Sequence, residues 1–401
     1  MIELGSPQYK KVTQSLAIGS FIIFCNLYVF QPILPHLSSH FSVSELEINW
    51  LFASSTLALS LSLVPWAVSS ESFGRKPVIL FGLFMIPLVG ILMLLTESLP
   101  VLIGARALMG VAIAAFAAVA VAYMVEELSP KAFSMAIGGY IAANSLGGIF
   151  GRVAGGIITD YFEWKSAVLF FVVFSLLGAV FVYFKLPEQK NFTPQKGLFF
   201  HHNRAVIKHI SNRTIWLAML IGGANFALFV NLYSVMGFRL VAEPHYLPVG
   251  IASMIFLCYL AGTVSSKLSS RWANTRNPLM GMALGTSMSM LGMWVSAIES
   301  ILFMLIGLLL ISFGAFFTHT LAYAWVSQKA ISAKATATAL YLVHYYIGGS
   351  LGGFVLLYCW QNFAWNGVIA GGMLFYIAIF ILLYSLNKQS ESVMKPAVNC
   401  H

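Results

Sequence analysis

One arginine stands out by its surroundings. Arg152 sits in Ser145-Leu146-Gly147-Gly148-Ile149-Phe150-Gly151-Arg152-Val153-Ala154-Gly155-Gly156, a run apolar enough to be a membrane helix. A guanidinium is costly in lipid, so its presence requires a polar cavity, a partner or both. It can contact an anionic or carbonyl-bearing molecule, or serve as a structural charge paired across a bundle; both readings stand. Around it Gly147, Gly151 and Gly155 recur every fourth residue and form one flat face, on which a neighbouring backbone packs closely. A second arginine, Arg106, lies about 8 Å into its span from Pro100 at the helical rise. It either snorkels to the membrane edge or works inside the bundle.

Proton chemistry has few candidates. All 13 acidic residues map to loops or helix ends, so no carboxylate is expected at mid-membrane depth. Histidine titrates near neutral pH, which makes His319 and His344 the internal groups able to move a proton, unless they only hydrogen-bond between helices. Polar and aromatic residues of several spans can line a shared cavity with Arg152: Asn26, Tyr28, Gln31, Asn144, Asn225, Asn231, Tyr233, His344 and Tyr345. Such a mixed lining suits amphipathic molecules. The alternative for the amides and phenols is helix–helix hydrogen bonding.

The elements that position these groups follow from composition. Of 401 residues 59% are hydrophobic and only 9% charged, with mean hydropathy +0.85. A soluble domain cannot bury that much apolar surface, whereas membrane helices expose it to lipid. Breaks at charge or proline give about twelve spans, near 13–35, 47–70, 78–96, 101–125, 134–158, 166–185, 214–240, 249–267, 279–297, 301–326, 336–360 and 366–387. Met1–Lys11 and the long first run do not read as a cleavable signal. Every Lys and Arg of the 22 falls on one side except Arg106, Arg152, Lys165 and Arg239. The positive-inside rule therefore places both termini and the loop 186–213 in the cytoplasm of a multi-pass plasma-membrane (bacterial inner-membrane) protein. The formal charge of +9 is explained by these loops, and no nucleic acid is expected as partner.

The loop 186–213 divides the chain at its middle, with a short amphipathic helix expected near Arg204–Ile210. Asn26-Leu27-Tyr28 recurs as Asn231-Leu232-Tyr233 and Ser145-Leu146-Gly147-Gly148 as Ser350-Leu351-Gly352-Gly353, each about 205 residues later; Arg75-Lys76-Pro77 has a near match in Arg276-Asn277-Pro278. One offset shared by several matches argues for duplication, as in transporters built from two parallel six-helix repeats. The expected organisation is an all-α membrane protein with a first half 1–185, a linker 186–213, a second half 214–387 and a tail 388–401. The four cysteines lack metal or disulfide spacing, and no phosphate loop or catalytic motif appears. No cofactor, metal or enzymatic activity is expected, and a monomer suffices.

Three stretches resemble the major facilitator superfamily. Ala67-Val68-Ser69-Ser70-Glu71-Ser72-Phe73-Gly74-Arg75-Lys76-Pro77 is similar to its signature between the second and third spans. The usual Asp is Glu71, the first Gly is Ala67 and the first Arg is Ser72, while Gly74-Arg75-Lys76 is intact. The resemblance implies a conformational latch at Glu71, Gly74, Arg75 and Lys76. Leu102-Ile103-Gly104-Ala105-Arg106-Ala107-Leu108-Met109-Gly110 is similar to the fourth-helix motif, implying a proton-coupling role for Arg106. Gly147, Gly151, Gly155 and Gly156 align with the antiporter signature, and Arg152 stands at its proline. With Tyr28, Gln31, Pro32 and Pro35, this pattern looks most like the bacterial YnfM-type branch of efflux carriers.

The expectation is a secondary transporter working by alternating access, exporting a small amphipathic organic compound in exchange for protons. Arg106, His344 and Glu71 would couple the proton, and Gly147, Gly151, Gly155 and Gly352 would pack the helices. The alternatives are proton-coupled uptake of a small organic anion, and a membrane enzyme or sensor on a transporter-like body.

Overall fold

Proline sets the shape of the first span. In the computed structural model, which describes residues 1–192, 199–331 and 333–394, α1 (Pro7–Tyr28) stops short of the expected end, and the chain turns through Val29–Ile33 before α2 (Leu34–Phe41). Pro32 cannot donate to a helical carbonyl, and a residue before proline avoids the helical region, so Gln31 and Leu34 both resist continuing the helix. A tighter bond closes the turn instead, from the Gln31 N–H to the Tyr28 carbonyl at 3.1 Å.

Seven more helices follow in the first part of the chain. They are α3 (Glu45–Ile48), α4 (Trp50–Phe73), α5 (Arg75–Leu94), α6 (Leu99–Ala117), α7 (Ala120–Glu127), α8 (Pro130–Tyr161) and α9 (Trp164–Lys185). Gly74, at φ 97°, makes the tight turn between α4 and α5 that a side chain would resist. A capping box at Ser44 and Glu47 starts α3. Next come α10 (Phe199–Ser211), at the expected amphipathic segment, and α11 (Arg213–Val241). One span then runs as α12 (Val249–Ala252), a 3-10 stretch (Ser253–Tyr259) and α13 (Leu260–Thr275). The chain closes with α14 (Pro278–Val295), α15 (Ile301–Lys329) and α16 (Lys334–Met394). Lys196, Lys395, Cys400, part of the expected linker and the end of the tail lie outside the described residues.

Among the described residues nine helical stretches are long and apolar enough to cross a membrane. The last of them, Thr336–Ser390, contains two spans: Ala364 interrupts it at φ 49°, ψ −148°, between the spans expected at 336–360 and 366–387. With α1 and α14 the architecture is the twelve-helix, two-half bundle expected from the apolar runs.

The described chain forms two compact units, Met1–Phe199 with Met236–Phe256, and Phe200–Val235 with Leu257 onward. In the first, α8 lies directly on α1. A Cβ added to Gly147 would sit 2.4 Å from the Phe21 carbonyl oxygen, and one on Gly151 2.5 Å from that of Cys25. In the second unit α16 lies on α11 in the same manner, with Gly348 against Gly223 and Gly352 against Ala227. Without a hydrophobic force between helices in lipid, such backbone approach is what holds them.

Gly151→Val should therefore force α8 off α1 and destabilise the protein by about 1–3 kcal/mol, the usual range for overpacking. Gly104→Ala, whose new methyl meets nothing within 4 Å, should be neutral. Thermal unfolding of the detergent-purified variants checks both.

Candidate functional site

The break in α1 leaves the carbonyls of Asn26 and Leu27, two buried residues, without their helical partners. Arg106 of α6, fully buried, supplies the missing donors. Its Nη1 donates to Asn26 O at 2.8 Å, and its Nη2 donates to Leu27 O at 2.8 Å and to Ser55 Oγ at 2.8 Å. Its Nε donates to Leu51 O at 3.0 Å, and the Phe30 ring covers the guanidinium at 4.7 Å. The carbonyl end of a helix is its negative end, so the cation is stabilised there by oxygens that carry no formal charge. Arg106 thus does not snorkel, and among the described residues it meets no carboxylate; it caps an interrupted helix. The Asn26 side chain completes this corner, donating to Ile22 O at 2.9 Å and Ser175 Oγ at 2.8 Å.

The same break delivers Tyr28 and Gln31 to Arg152. The Nε of Arg152 donates to Gln31 Oε1 at 2.7 Å and its Nη1 to the Gly148 carbonyl at 3.0 Å. Its guanidinium lies 3.6 Å from the Tyr28 ring centroid and 4.9 Å from that of Phe256. Desolvated cation–π contacts of this kind contribute about 2 kcal/mol each. Arg152 is only 1% exposed, covered by these rings. Asn144 lies two turns earlier on α8, its buried Oδ1 without a hydrogen bond. Asp160, two turns beyond Arg152, packs beside Gly250 and acts on His36. Burial and the neighbouring His40 hold the His36 imidazole below the ordinary histidine range, against the pull of Asp160.

The residues that resemble a latch form a network in the first unit. Arg75 grips Glu126 with Nε at 3.1 Å and Nη2 at 2.7 Å, and also bonds Ser70 Oγ. Lys76 Nζ pairs with Glu188 at 2.6 Å, and its backbone N–H donates to Gln189 Oε1 at 2.9 Å. Glu71 sits half-buried on the last turn of α4. Buried Glu127 accepts the backbone N–H groups of Lys190 and Asn191, each at 2.9 Å. Glu126 and Glu127 are among the acidic residues that the sequence places in loops or at helix ends. Their signal was an acidic doublet ending one span, opposite the basic doublet Arg75-Lys76 that starts another.

In the second unit Asn231 repeats the pattern of Asn26, donating to Ala227 O at 2.9 Å and to Gly349 O at 2.8 Å. The Tyr233 hydroxyl meets Leu308 O at 3.1 Å and Ser312 Oγ at 2.6 Å. Both side chains are fully buried and join helices. Tyr345 stacks on Phe226 at 3.8 Å, and His344 Nδ1 donates to Leu340 O at 2.8 Å in its own helix. The structure thus brings Arg152, Tyr28 and Gln31 together, with Asn26 and Arg106 behind them. His344 and Tyr345 stand on α16 of the second unit. Phe256 was missed, since nothing in its apolar run marks it as the cover of a charge.

Comparison with known proteins sets this bundle among membrane transporters. The chain belongs to the major facilitator superfamily, whose family pattern matches residues 16–353. It is 32% identical over 390 residues to the inner membrane transport protein YnfM of Escherichia coli (strain K12), covering 95% of this chain and 90% of that one. It is 28% identical over 395 residues to the MFS-type transporter YybF of Bacillus subtilis (strain 168), covering 98% and 97%. Among solved structures, a bacterial homologue of the human lysosomal transporter Spinster, in an inward-facing and occupied conformation, superposes with TM-score 0.76 at 15% identity. That match covers 96% of this chain and 98% of the other.

Arg106→Lys should cost about 3 kcal/mol or more, because one ammonium cannot span four acceptors and orphans buried carbonyls. The check is a lower melting temperature and loss of monodisperse protein; wild-type stability would contradict the capping role.

Proposed function

We propose that this transporter exports a small amphipathic organic compound bearing an anionic or carbonyl group, in exchange for protons. The observation that carries the reading is the Arg152 cradle: a buried cation between the Tyr28 and Phe256 rings, steered by Gln31. Aromatic faces suit an apolar body, and the guanidinium suits an oxygen-bearing head. Displacing the ring of Phe256 would expose the guanidinium, so the cradle is a covered site that opens during alternating access. Export by antiport draws its support from the likeness of the α8 glycine row to the antiporter signature. The Glu71 to Lys76 segment would be the latch, with its Arg75–Glu126 grip breaking and reforming in the cycle. The chain would work as a monomer, with both termini cytoplasmic.

A second reading, proton-coupled uptake of an organic anion, is favoured by the same cation. Proteoliposomes carrying the purified protein, under a set pH gradient, separate the two with a panel of cationic, neutral and anionic compounds. Compound-dependent proton counterflow supports export. Proton movement in the same direction as an anion supports uptake, and no proton movement with any compound removes both.

Arg152→Ala should reduce transport at least about tenfold while the protein stays in the membrane, as expected when an oriented, charge-assisted contact is lost. Transport at the wild-type rate would remove Arg152 from the site.

A further inference from the structure

His319 and Tyr341 occupy facing positions on α15 and α16, and the proposed function above assigns neither a part. The Tyr341 hydroxyl lies 2.9 Å from His319 Nδ1 and 3.3 Å from the His319 carbonyl oxygen. A phenol has a single proton and serves only one of these acceptors at a time. When it turns to the carbonyl, its oxygen accepts from Nδ1–H, and the imidazole is held with its lone pair on Nε2. That nitrogen makes no hydrogen bond to the described residues, and the residue is half-buried.

We infer that His319 is a protonation site of the second unit and that Tyr341 is its positioning residue. The inference rests on the proton-coupled reading above. In the binding step an incoming proton forms a bond to Nε2, and only the O–H bond of its carrier breaks. The imidazolium then donates from Nδ1 to the Tyr341 oxygen, while the phenol proton stays on the carbonyl. The charge-assisted bond strengthens the link between α15 and α16, and release of the proton weakens it. His344 differs on this point, because its Nδ1 bonds Leu340 within α16 and its charge alters no bond to another helix.

The surroundings fix the geometry. The Tyr341 ring lies over Gly222 of α11, where an added Cβ would come within 2.5 Å of it, so α11 packs directly against the phenol. Tyr345 faces the imidazole at 4.5 Å between centroids and is itself stacked on Phe226 of α11. Tyr323, one turn along α15, lies 6.3 Å from the imidazole and 5.4 Å from Tyr341. Among the described residues, the titratable rings in contact with His319 are these three tyrosines, and none of the ion pairs involves it. From α13, Ser266 bonds the neighbouring Thr320 at 3.2 Å and brings no charge.

The test uses the full chain in proteoliposomes, with proton flux followed across pH for compounds that move protons in the wild type. Tyr341→Phe leaves the imidazolium N–H without an acceptor, so the pH of half-maximal transport should move to the acid side by about half a unit or more. His319→Gln should lower gradient-driven transport at least about tenfold, with the protein still monodisperse and its melting temperature near wild type. Nitrogen-15 imidazole spectra should show one titrating signal that His319→Gln removes and Tyr341→Phe shifts. Wild-type proton flux alongside an unmoved midpoint in Tyr341→Phe and intact driven transport in His319→Gln would overturn the inference and leave proton coupling standing. No proton flux in the wild type with any compound would overturn both.

Discussion

The interruption of α1 at Val29–Ile33 creates two carbonyls that lipid cannot satisfy, and the bundle of the first unit is arranged around answering them. Arg106 does so with Nη1 on Asn26 O and Nη2 on Leu27 O. Its other bonds, to Leu51 and Ser55 of α4, mean that one side chain ties α1, α4 and α6 at a single point. A lysine would reach one or two of these oxygens; the forked guanidinium reaches all four. Because the break is held open, Tyr28 at its edge and Gln31 within it face α8. There they set the position of Arg152. Two buried cations that look independent in the sequence are thus joined through five residues of non-helical chain.

The two units solve the same packing problem and then diverge. Asn26 and Asn231 both donate to the carbonyl four residues back and to one further oxygen. The glycines of α8 and α16 sit on α1 and α11 alike. The tie from the first helix of each unit to the fourth differs in direction. In the first unit it is Arg106 reaching from α6 back to α1; in the second it is Tyr233 reaching from α11 to Leu308 and Ser312 of α15. A charged tie in one unit and a neutral one in the other give a duplicated scaffold with an asymmetric interior.

How much of this could be read from the sequence depends on the kind of signal. Spans were legible because apolar length and flanking charge are local properties, and most helix limits fall within a few residues of the expected ones. Pro32 and Pro35 were visible, but membrane helices tolerate proline, so their effect on α1 was not. The pause between α6 and α7 at Ala118-Val119 carries no mark in the residues. Arg106 and Arg152 were found as misplaced charges, yet their partners were not: Leu51 and Gly148 offer backbone oxygens that every residue possesses. Gln31 was expected to line a cavity with Arg152, and the structure puts the two in contact at 2.7 Å. Phe256 and the Tyr341–His319 pair depend on the rotation of helices about their axes. Uniformly apolar spans encode that rotation weakly.

The turn inside α16 has a consequence of a different kind. Only Ala364 leaves the helical conformation there, and Gly367 and Gly371 beyond it pack against Cys359 before it. Two membrane-crossing arms are therefore joined with no spare length between them. They have to be delivered to the bilayer as a preformed hairpin, since neither arm can wait in one place while the other is threaded. For the same reason this end of the pair offers no slack for a protease cut, an inserted epitope or a grafted label.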